Sequence, residues 1–512
     1  MAPSPIVLAI DAGSTSAKVQ FFDAAARPLA APVRSRVAIG PDGTADPVAF
    51  LTSVEATVDD ALRRVPGRVE VVALSCAWHG LVGLGPDGRP TTPLSTWSAT
   101  GPGVVAAAAE LARRLDDSQH SAVRRRTGAP VHPSLPAARI LAEGVRDPAA
   151  FAATARWCSI GELLETRWLA GAPGPSSSMA SASGLFDQES RSWDAEVLLA
   201  LGLRPETLAP IDDAPRRGLA PAYRDRWPAL AHAVWWPALG DGACALVGTG
   251  CAVPGVATGG AGGGRRAALT VGTSAAVRVL AGGAERAARP AGLFAYLLDA
   301  DRVVLGAARS NAGNLIEWLA GVLRLDGDLV ADVAARPPGR HGLRAVSALA
   351  GERSPDWPLA ASGSVAGLRP DTTALDVAQA LLEAALCGLA DAVDTLEQAI
   401  PVAGAAPPEP GSPGGLAGPP PAPTGLTLVG SGRALASSAA WRQLVADATG
   451  RPLIPSRVEE ASARGAAVVA LDGLGRLDPA SRDDLDGGPV RPDPARAEAF
   501  ARLRSAARPT PA

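Results

Sequence analysis

A strand–turn–strand unit that occurs twice constrains this chain more than any other feature. "IVLAIDAGSTSAKVQFF" (6–22) is apolar up to Asp11, turns through Gly13, Ser14, Thr15 and Ser16, and resumes as a second β-rich run. "RAALTVGTSAAVRVL" (266–280) repeats that grammar with Gly272, Thr273 and Ser274 at the turn. The β-branched and aromatic content predicts strands at Ile6–Ile10 and Ala17–Phe22. Two copies about 260 residues apart predict two related domains. The copies differ in one respect: the first has an acid two residues before Gly13, the second has Val271 before Gly272.

A Gly/Ser/Thr turn gathers backbone N–H groups and hydroxyls in a small concavity, which suits phosphate oxygens. A carboxylate beside phosphate repels it unless a divalent cation lies between them. Asp11 therefore points to Mg2+ held through water. The P-loop is excluded, because no G-x-x-x-x-G-K-[ST] run exists and the turn leads to a strand instead of a helix. Either copy alone reads equally well as an ordinary hairpin. Together they favour two turns that clamp the phosphates of a nucleotide.

The chain's 512 residues allow two or three domains, and 47% hydrophobic with 19% charged residues is a globular balance. A net charge of −3 gives no basic field for nucleic acid or membrane. No stretch of 18 strongly apolar residues predicts a membrane span, and no basic segment followed by an apolar one marks a secretion signal. The five cysteines (76, 158, 244, 251 and 387) are scattered and lack any CxxC. That spacing predicts reduced thiols in a cytoplasmic protein, without disulfide framework or zinc site. Lys18 is the only lysine, and Arg supplies the rest of the positive charge. With the abundant Ala, Gly and Pro, this reads as the codon bias of a GC-rich genome.

Further along, "VEVVALSCAWHGLVGL" (69–84) predicts a buried strand, a polar interruption and another strand. The run 212–227 reads as a turn-rich connection, and 240–257 opens as a glycine-punctuated helix. The clearest helix is 375–398, where apolar residues recur at three- and four-residue spacing. Residues 401–425 are Pro/Gly-rich and predict a flexible surface loop. Strand, glycine turn and helix follow over 426–453, and a polar tail begins near 475. Two sites could carry chemistry. Asp241, flanked by Gly240 and Gly242 at a helix start, can approach a substrate closely; plain helix capping is the alternative. Trp78 and His79 interrupt an apolar run and offer an apolar face with a donor, the usual mix of a polyol pocket; a strand end with a core aromatic is the alternative.

The order and spacing of "DAGSTSAK", "CAWHG" (76–80), "GDGACALVG" (240–248), "LTVGTSAAVRV" (269–279), "GERSPDW" (351–357), "GSVAGL" (363–368) and "GSGRALASSAAW" (430–441) resemble the FGGY family of carbohydrate kinases from residue 6 to about 473. The resemblance implies an α/β, two-domain actin-like ATPase (ribonuclease H-like) fold with its active site in the interdomain cleft, which closes on binding. It implies Asp241 as catalytic base and Asp11 as the acid that organises Mg2+. Trp78, His79 and Asp241 would line the sugar site. Gly13, Ser14, Thr15, Ser16, Lys18, Gly272, Thr273 and Ser274 would hold the phosphates of ATP, and Gly430 and Gly432 would let adenosine approach the backbone. The expected domains are 1–255, 265–475 and a tail, 476–512. The expected partners are a sugar or sugar acid and ATP, in a cytoplasmic homodimer that binds neither nucleic acid nor membrane.

Within the family, "RTGAPVHPSLPAARIL" (126–141), "ARWCSIGELL" (155–164) and "SSSMASASGLFDQESRSWD" (176–194) are similar to the gluconate-kinase branch. His79, His132 and Arg139 could face an anionic substrate; surface placement for Arg139 and a turn before Pro133 for His132 are the alternatives. Some family landmarks are missing: Ala99 and Gly101 stand where an acid and an Arg are usual, and Arg139 and Ala142 where Lys and Trp are usual. The leading expectation is MgATP-dependent phosphorylation of gluconate to 6-phosphogluconate. The alternatives are a pentulose (xylulose-type) kinase and a non-catalytic sugar or nucleotide sensor.

Overall fold

The structure, a computed structural model, describes residues 7–65, 67–116, 122–171, 173–252, 265–282, 290–325, 327–349, 351–400 and 425–507. The loop expected at 401–425 falls, but for its last residue, outside them. The chain divides into two compact units. The first comprises Met1–Pro254, Phe294–Val304 and Val458–Asp484; the second comprises Gly255–Leu293, Leu305–Arg457 and Leu485–Ala512.

The first unit is built on the predicted hairpin. Val7–Ala12 pairs antiparallel with Ser16–Phe22, which pairs antiparallel with Val33–Arg36. On its other side Val7–Ala12 runs parallel to Val71–Cys76, which also pairs parallel with Val234–Trp235 and Leu239–Gly240. Val7–Ala12 and Val71–Cys76 are buried at every position, as strands covered on both faces must be, and this explains why their runs are apolar except at Asp11 and Ser75. Helix Pro47–Arg64 packs on the hairpin side. It begins on Asp46, whose carboxylate accepts from the Val48 and Ala49 N–H groups, with Pro47 next, where no donor is needed.

The second unit repeats the scheme. Arg266–Val271 pairs antiparallel with Ala275–Gly282 and parallel with Thr427–Ser431, which pairs parallel with Leu453–Pro455. The predicted helix spans Ala374–Ala399 and opens with a capping box between Thr373 and Asp376. Helix Ala439–Thr449 packs against it.

Two segments lie elsewhere than their place in the sequence suggests. Helix Ala461–Gly473, expected with the C-terminal domain, belongs to the first unit and packs on helix Asp241–Gly248 and on Val71–Cys76. Small residues make this contact possible. A Cβ on Gly248 would lie 1.8 Å from the Ala461 carbonyl oxygen, and one on Gly465 would lie 1.8 Å from that of Cys244. The polar tail contains helix Pro494–Ala507, which packs in the second unit against Ala439–Thr449. Arg496 Nε anchors it to the fully buried Asp447 Oδ2 at 2.7 Å. The connection 212–227 also ends in a short helix, Pro221–Arg226.

Candidate active site

Strand register assembles the acidic part of the first unit's site. Asp11 stands opposite Lys18 on one neighbouring strand and beside Ser75 on the other. Residues level across adjacent strands share a face, so their side chains meet. Ser75 Oγ donates to Asp11 Oδ1 at 2.7 Å, and Lys18 Nζ lies 3.4 Å from Asp11 Oδ2. Lys18 also reaches Glu460 Oε2 at 3.0 Å, and Arg34 Nε donates to Glu460 Oε1 at 2.8 Å. Burial pushes the Asp11 carboxyl above the usual carboxylate range, with Lys18 and Ser75 pulling it partly back. Burial by itself would lower the Lys18 ammonium, but the carboxylates of Asp11 and Glu460 outweigh it and raise it. Glu460 escapes a reading of the sequence, since it precedes a helix at the far end of the chain. Only the packing of that helix on the first unit brings it to Lys18.

The turn itself is accessible. Gly13, Ser14 and Ser16 are half-buried and Thr15 is exposed, with Gly13 N–H donating to Ser16 O at 3.0 Å. The second hairpin repeats this: Gly272 and Ser274 are half-buried, Thr273 is exposed, and Gly272 N–H donates to Ser274 O at 2.9 Å. Helix Gly313–Val322 braces it, with Gly313 N–H on Gly272 O at 2.9 Å and Asn314 N–H on Thr273 O at 3.1 Å. A Cβ at 313 would lie 2.5 Å from Gly272 O, so only glycine lets the helix approach. Gly432, at a φ of 91°, also abuts this hairpin, its absent Cβ 2.5 Å from Val271 O. Gly430 differs. It lies within Thr427–Ser431 and the space beside it is taken by Leu435 and Leu453, which explains that glycine by packing.

Asp241 is the first residue of helix Asp241–Gly248, and strand Leu239–Gly240 delivers it beside Cys76. Asp241 Oδ1 accepts from Trp78 N–H at 3.2 Å and from Gly242 N–H at 2.8 Å. Trp78 covers the approach: a Cβ at Gly240 would lie 1.7 Å from Trp78 Nε1, which donates instead to Ser178 O at 3.1 Å. His79 holds a left-handed φ of 67°, and its Nδ1 lies 2.8 Å from Ala182 O. Tyr296 faces both, its ring centroid 5.2 Å from Trp78 and 5.5 Å from His79, edge to face. Such contacts fix ring orientation. Tyr296 is a site neighbour the motifs do not flag, although the alternation Phe294–Ala295–Tyr296 places two aromatics on one strand face.

Arg139 and His132 are both engaged in bonds inside the protein. Arg139 is buried, not a surface residue, and donates to the carbonyls of His79, Thr96 and Ser134 and to Ser95 Oγ. Burial lowers its guanidinium to about 9. It therefore ties the Trp78–His79 segment to the Ser95–Thr96 segment. His132 is buried in its turn, with Nδ1 2.8 Å from Ser134 Oγ.

Among the described residues, no three His, Cys, Asp or Glu side chains converge into a metal cage. A single carboxylate such as Asp11 nevertheless suits Mg2+, which binds through one or two carboxylates plus waters and substrate phosphates. No helix among the described residues is long and apolar enough to cross a membrane.

Comparison with known proteins agrees with this architecture. Residues 6–217 match the N-terminal domain of the FGGY family of carbohydrate kinases, and residues 267–472 match its C-terminal domain. A glycerol kinase of Rhodospirillum rubrum is 30% identical over 509 residues, covering 94% of this chain and 92% of its own. The gluconate kinase of Lactobacillus acidophilus superposes with a TM-score of 0.80 at 22% identity, over 98% of this chain and 96% of its own. A ligand-bound xylulose kinase from the same organism gives the same TM-score, identity and coverage. The chain belongs to the FGGY family of carbohydrate kinases, enzymes of two-domain actin-like fold that take their phosphoryl group from ATP.

Proposed function

We propose that this kinase phosphorylates a terminal hydroxyl of gluconate, giving 6-phosphogluconate, with Asp241 as the base. Phosphoryl transfer asks a protein mainly for positioning, charge neutralisation and an acceptor for the hydroxyl proton. The observation that carries the reading is the placement of Asp241: a carboxylate at a helix start, oriented by Trp78 N–H and flanked by Trp78, with His79 and Tyr296 beyond. Trp78, braced by the buried Tyr296, borders the carbon skeleton with an apolar ring, and His79, whose Nδ1 donates to the Ala182 carbonyl, accepts from a sugar hydroxyl at Nε2. The Gly13–Ser16 and Gly272–Ser274 turns bind phosphate through N–H and hydroxyl groups. Lys18 adds positive charge there and keeps Asp11 and Glu460 from repelling the nucleotide. Asp11 would hold Mg2+, and the ion, when bound, would neutralise charge on the phosphates.

The gluconate assignment rests on the three runs quoted above; the likeness in fold is equal for gluconate and xylulose kinases. One observation favours a xylulose-type pentulose instead: Arg139 and His132 are engaged inside the protein, which leaves His79 alone of the three to face a carboxylate. A coupled ADP-release assay with gluconate, xylulose and glycerol decides between them. Gluconate is expected to give the highest kcat/KM; preference for xylulose overturns the branch and keeps the kinase. Asp241→Ala is expected to lower kcat by about 10²–10⁴-fold with ATP still bound in calorimetry. Turnover at the wild-type rate in that variant removes Asp241 from the chemistry.

A further inference from the structure

Behind Asp241 lies a buried ion pair that the chemistry above does not use. Glu165, on helix Ile160–Trp168, is 1% exposed, and Arg216 is 9% exposed. Glu165 Oε1 accepts from Arg216 Nη1 at 3.2 Å and from the backbone N–H of Ala238 at 3.0 Å. Arg216 Nη2 is held by the carbonyls of Gly174 and Asp212, both at 2.8 Å. Its backbone exchanges two hydrogen bonds with Trp235. Ala238 is fixed from three sides: its N–H by Glu165, its carbonyl by Ser176 Oγ, and its side chain by Gly161, where a Cβ would lie 2.6 Å from the Ala238 Cβ. Ala238 leads directly into Leu239–Gly240 and Asp241. Glu165 thus holds the Ala238 N–H as one end of a charge pair, two residues before Ser178 Oγ takes the Gly240 N–H.

We infer that the ionised carboxylate of Glu165 is a positioning residue for Asp241, and that its protonation sets an acid limb in the enzyme's turnover. The inference rests on Asp241 acting as the base. A charged acceptor holds an amide about twice as strongly as a neutral one. Protonating Glu165 weakens the Ala238 tether and leaves the buried Arg216 charge with only the more distant, half-exposed Asp212 carboxylate at 3.6 Å, a costly state. Among the described residues, Glu165 Oε2 and Arg216 Nε have no hydrogen-bond partner, so no second bond there replaces the one that weakens. The charged and titratable groups around the carboxyl act in both directions. Arg216 favours its ionised form, Glu162 on the same helix and Asp212 beside Arg216 oppose it, and Cys76 on the central strand has its thiol pushed up by burial and by the Glu165 charge. Burial is the largest influence and pushes the carboxyl up to about 7, within the range where a kinase is assayed.

The test measures kcat and the KM for ATP against pH, with gluconate, xylulose and glycerol as acceptors, for the wild type, Glu165→Gln and Arg216→Lys. Between about pH 8 and 6 the wild-type kcat is expected to fall about tenfold. Glu165→Gln keeps an acceptor without a titrating proton. Its kcat is expected to lie below the wild-type plateau, to vary less than about twofold over that range, and to come with an unchanged KM for ATP. Arg216→Lys shortens the cation's reach and is expected to move the limb to higher pH. Difference infrared spectroscopy supplies a readout without turnover: the carbonyl stretch of a protonated carboxylic acid that titrates over this range is expected to vanish in Glu165→Gln. An acid limb that persists unshifted in Glu165→Gln overturns the inference. Full activity of Asp241→Ala overturns the underlying assignment of the base, whatever Glu165 does. A wild type inactive on every acceptor overturns both.

Discussion

At the scale of single residues, Lys18 concentrates the most information. It is the only lysine of 512 residues, in a chain that uses Arg everywhere else, and it sits between the buried carboxylates Asp11 and Glu460. A compact ammonium can lie between two carboxylates where the wider guanidinium fork demands more room. Removing it leaves Asp11 without its cation and Glu460 with Arg34 alone. Lys18→Met is expected to lower stability by about 2–3 kcal/mol near neutral pH, measured by urea denaturation. The sign of the pH dependence follows from Asp11. Its carboxyl is already raised by burial, with Lys18 the main influence pulling it down, so the variant raises it further. A group raised in the fold favours the folded state below its ordinary value and loses that advantage as pH rises through its folded value. The deficit of Lys18→Met is therefore expected to shrink as the pH falls from about 7.5 to 5; a deficit that grows contradicts the assignment. Asp11, Lys18 and the hydroxyl turn are legible in the sequence because they are near neighbours in one hairpin. Glu460 and Tyr296 are not, because long-range packing alone brings them there.

At the scale of elements, the contact between Asp241–Gly248 and Ala461–Gly473 sets the position of Asp241, the proposed base. Gly248 and Gly465 let backbone touch backbone. Gly465→Ala is expected to cost about 3 kcal/mol in a urea titration, since a Cβ there overlaps the Cys244 carbonyl. It is also expected to lower kcat more than it changes the KM for ATP. Gly103, in helix Pro102–Arg114, has nothing within 4 Å of its position for a Cβ. Gly103→Ala is expected to be neutral or to stabilise by up to about 1 kcal/mol, which separates the effect of contact from that of propensity. The boundaries of the long helix were readable from its apolar spacing, because periodicity and a capping box are local. The partner that Ala461–Gly473 chooses was not, because a run of small residues suits close packing against any other such run.

For the whole molecule, each unit is assembled from separate stretches of chain. Val458–Asp484 completes the first unit and Leu485–Ala512 the second. A chain cut after Arg457 therefore lacks Glu460 and the helix that covers Val71–Cys76. It is expected to show no cooperative urea transition and to lose ATP binding in calorimetry, whereas removal of residues 508–512 is expected to leave both unchanged. A truncated chain that unfolds cooperatively at the wild-type midpoint refutes this division. The sequence by itself determined the two hairpins with their Gly/Ser/Thr turns, the placement of Asp241 at a helix start and the kinase family. Turn chemistry, strand alternation and motif order are properties of consecutive residues. Only the tertiary structure decided that Arg139 is buried and ties the Trp78–His79 segment to Ser95–Thr96, that Leu435 and Leu453 crowd Gly430, that Glu460 shares Lys18 with Asp11, and that Glu165 stands behind Asp241. Each of those depends on which distant segments pack together and in what register, and that is settled by burial of surface and satisfaction of buried polar groups over the whole unit.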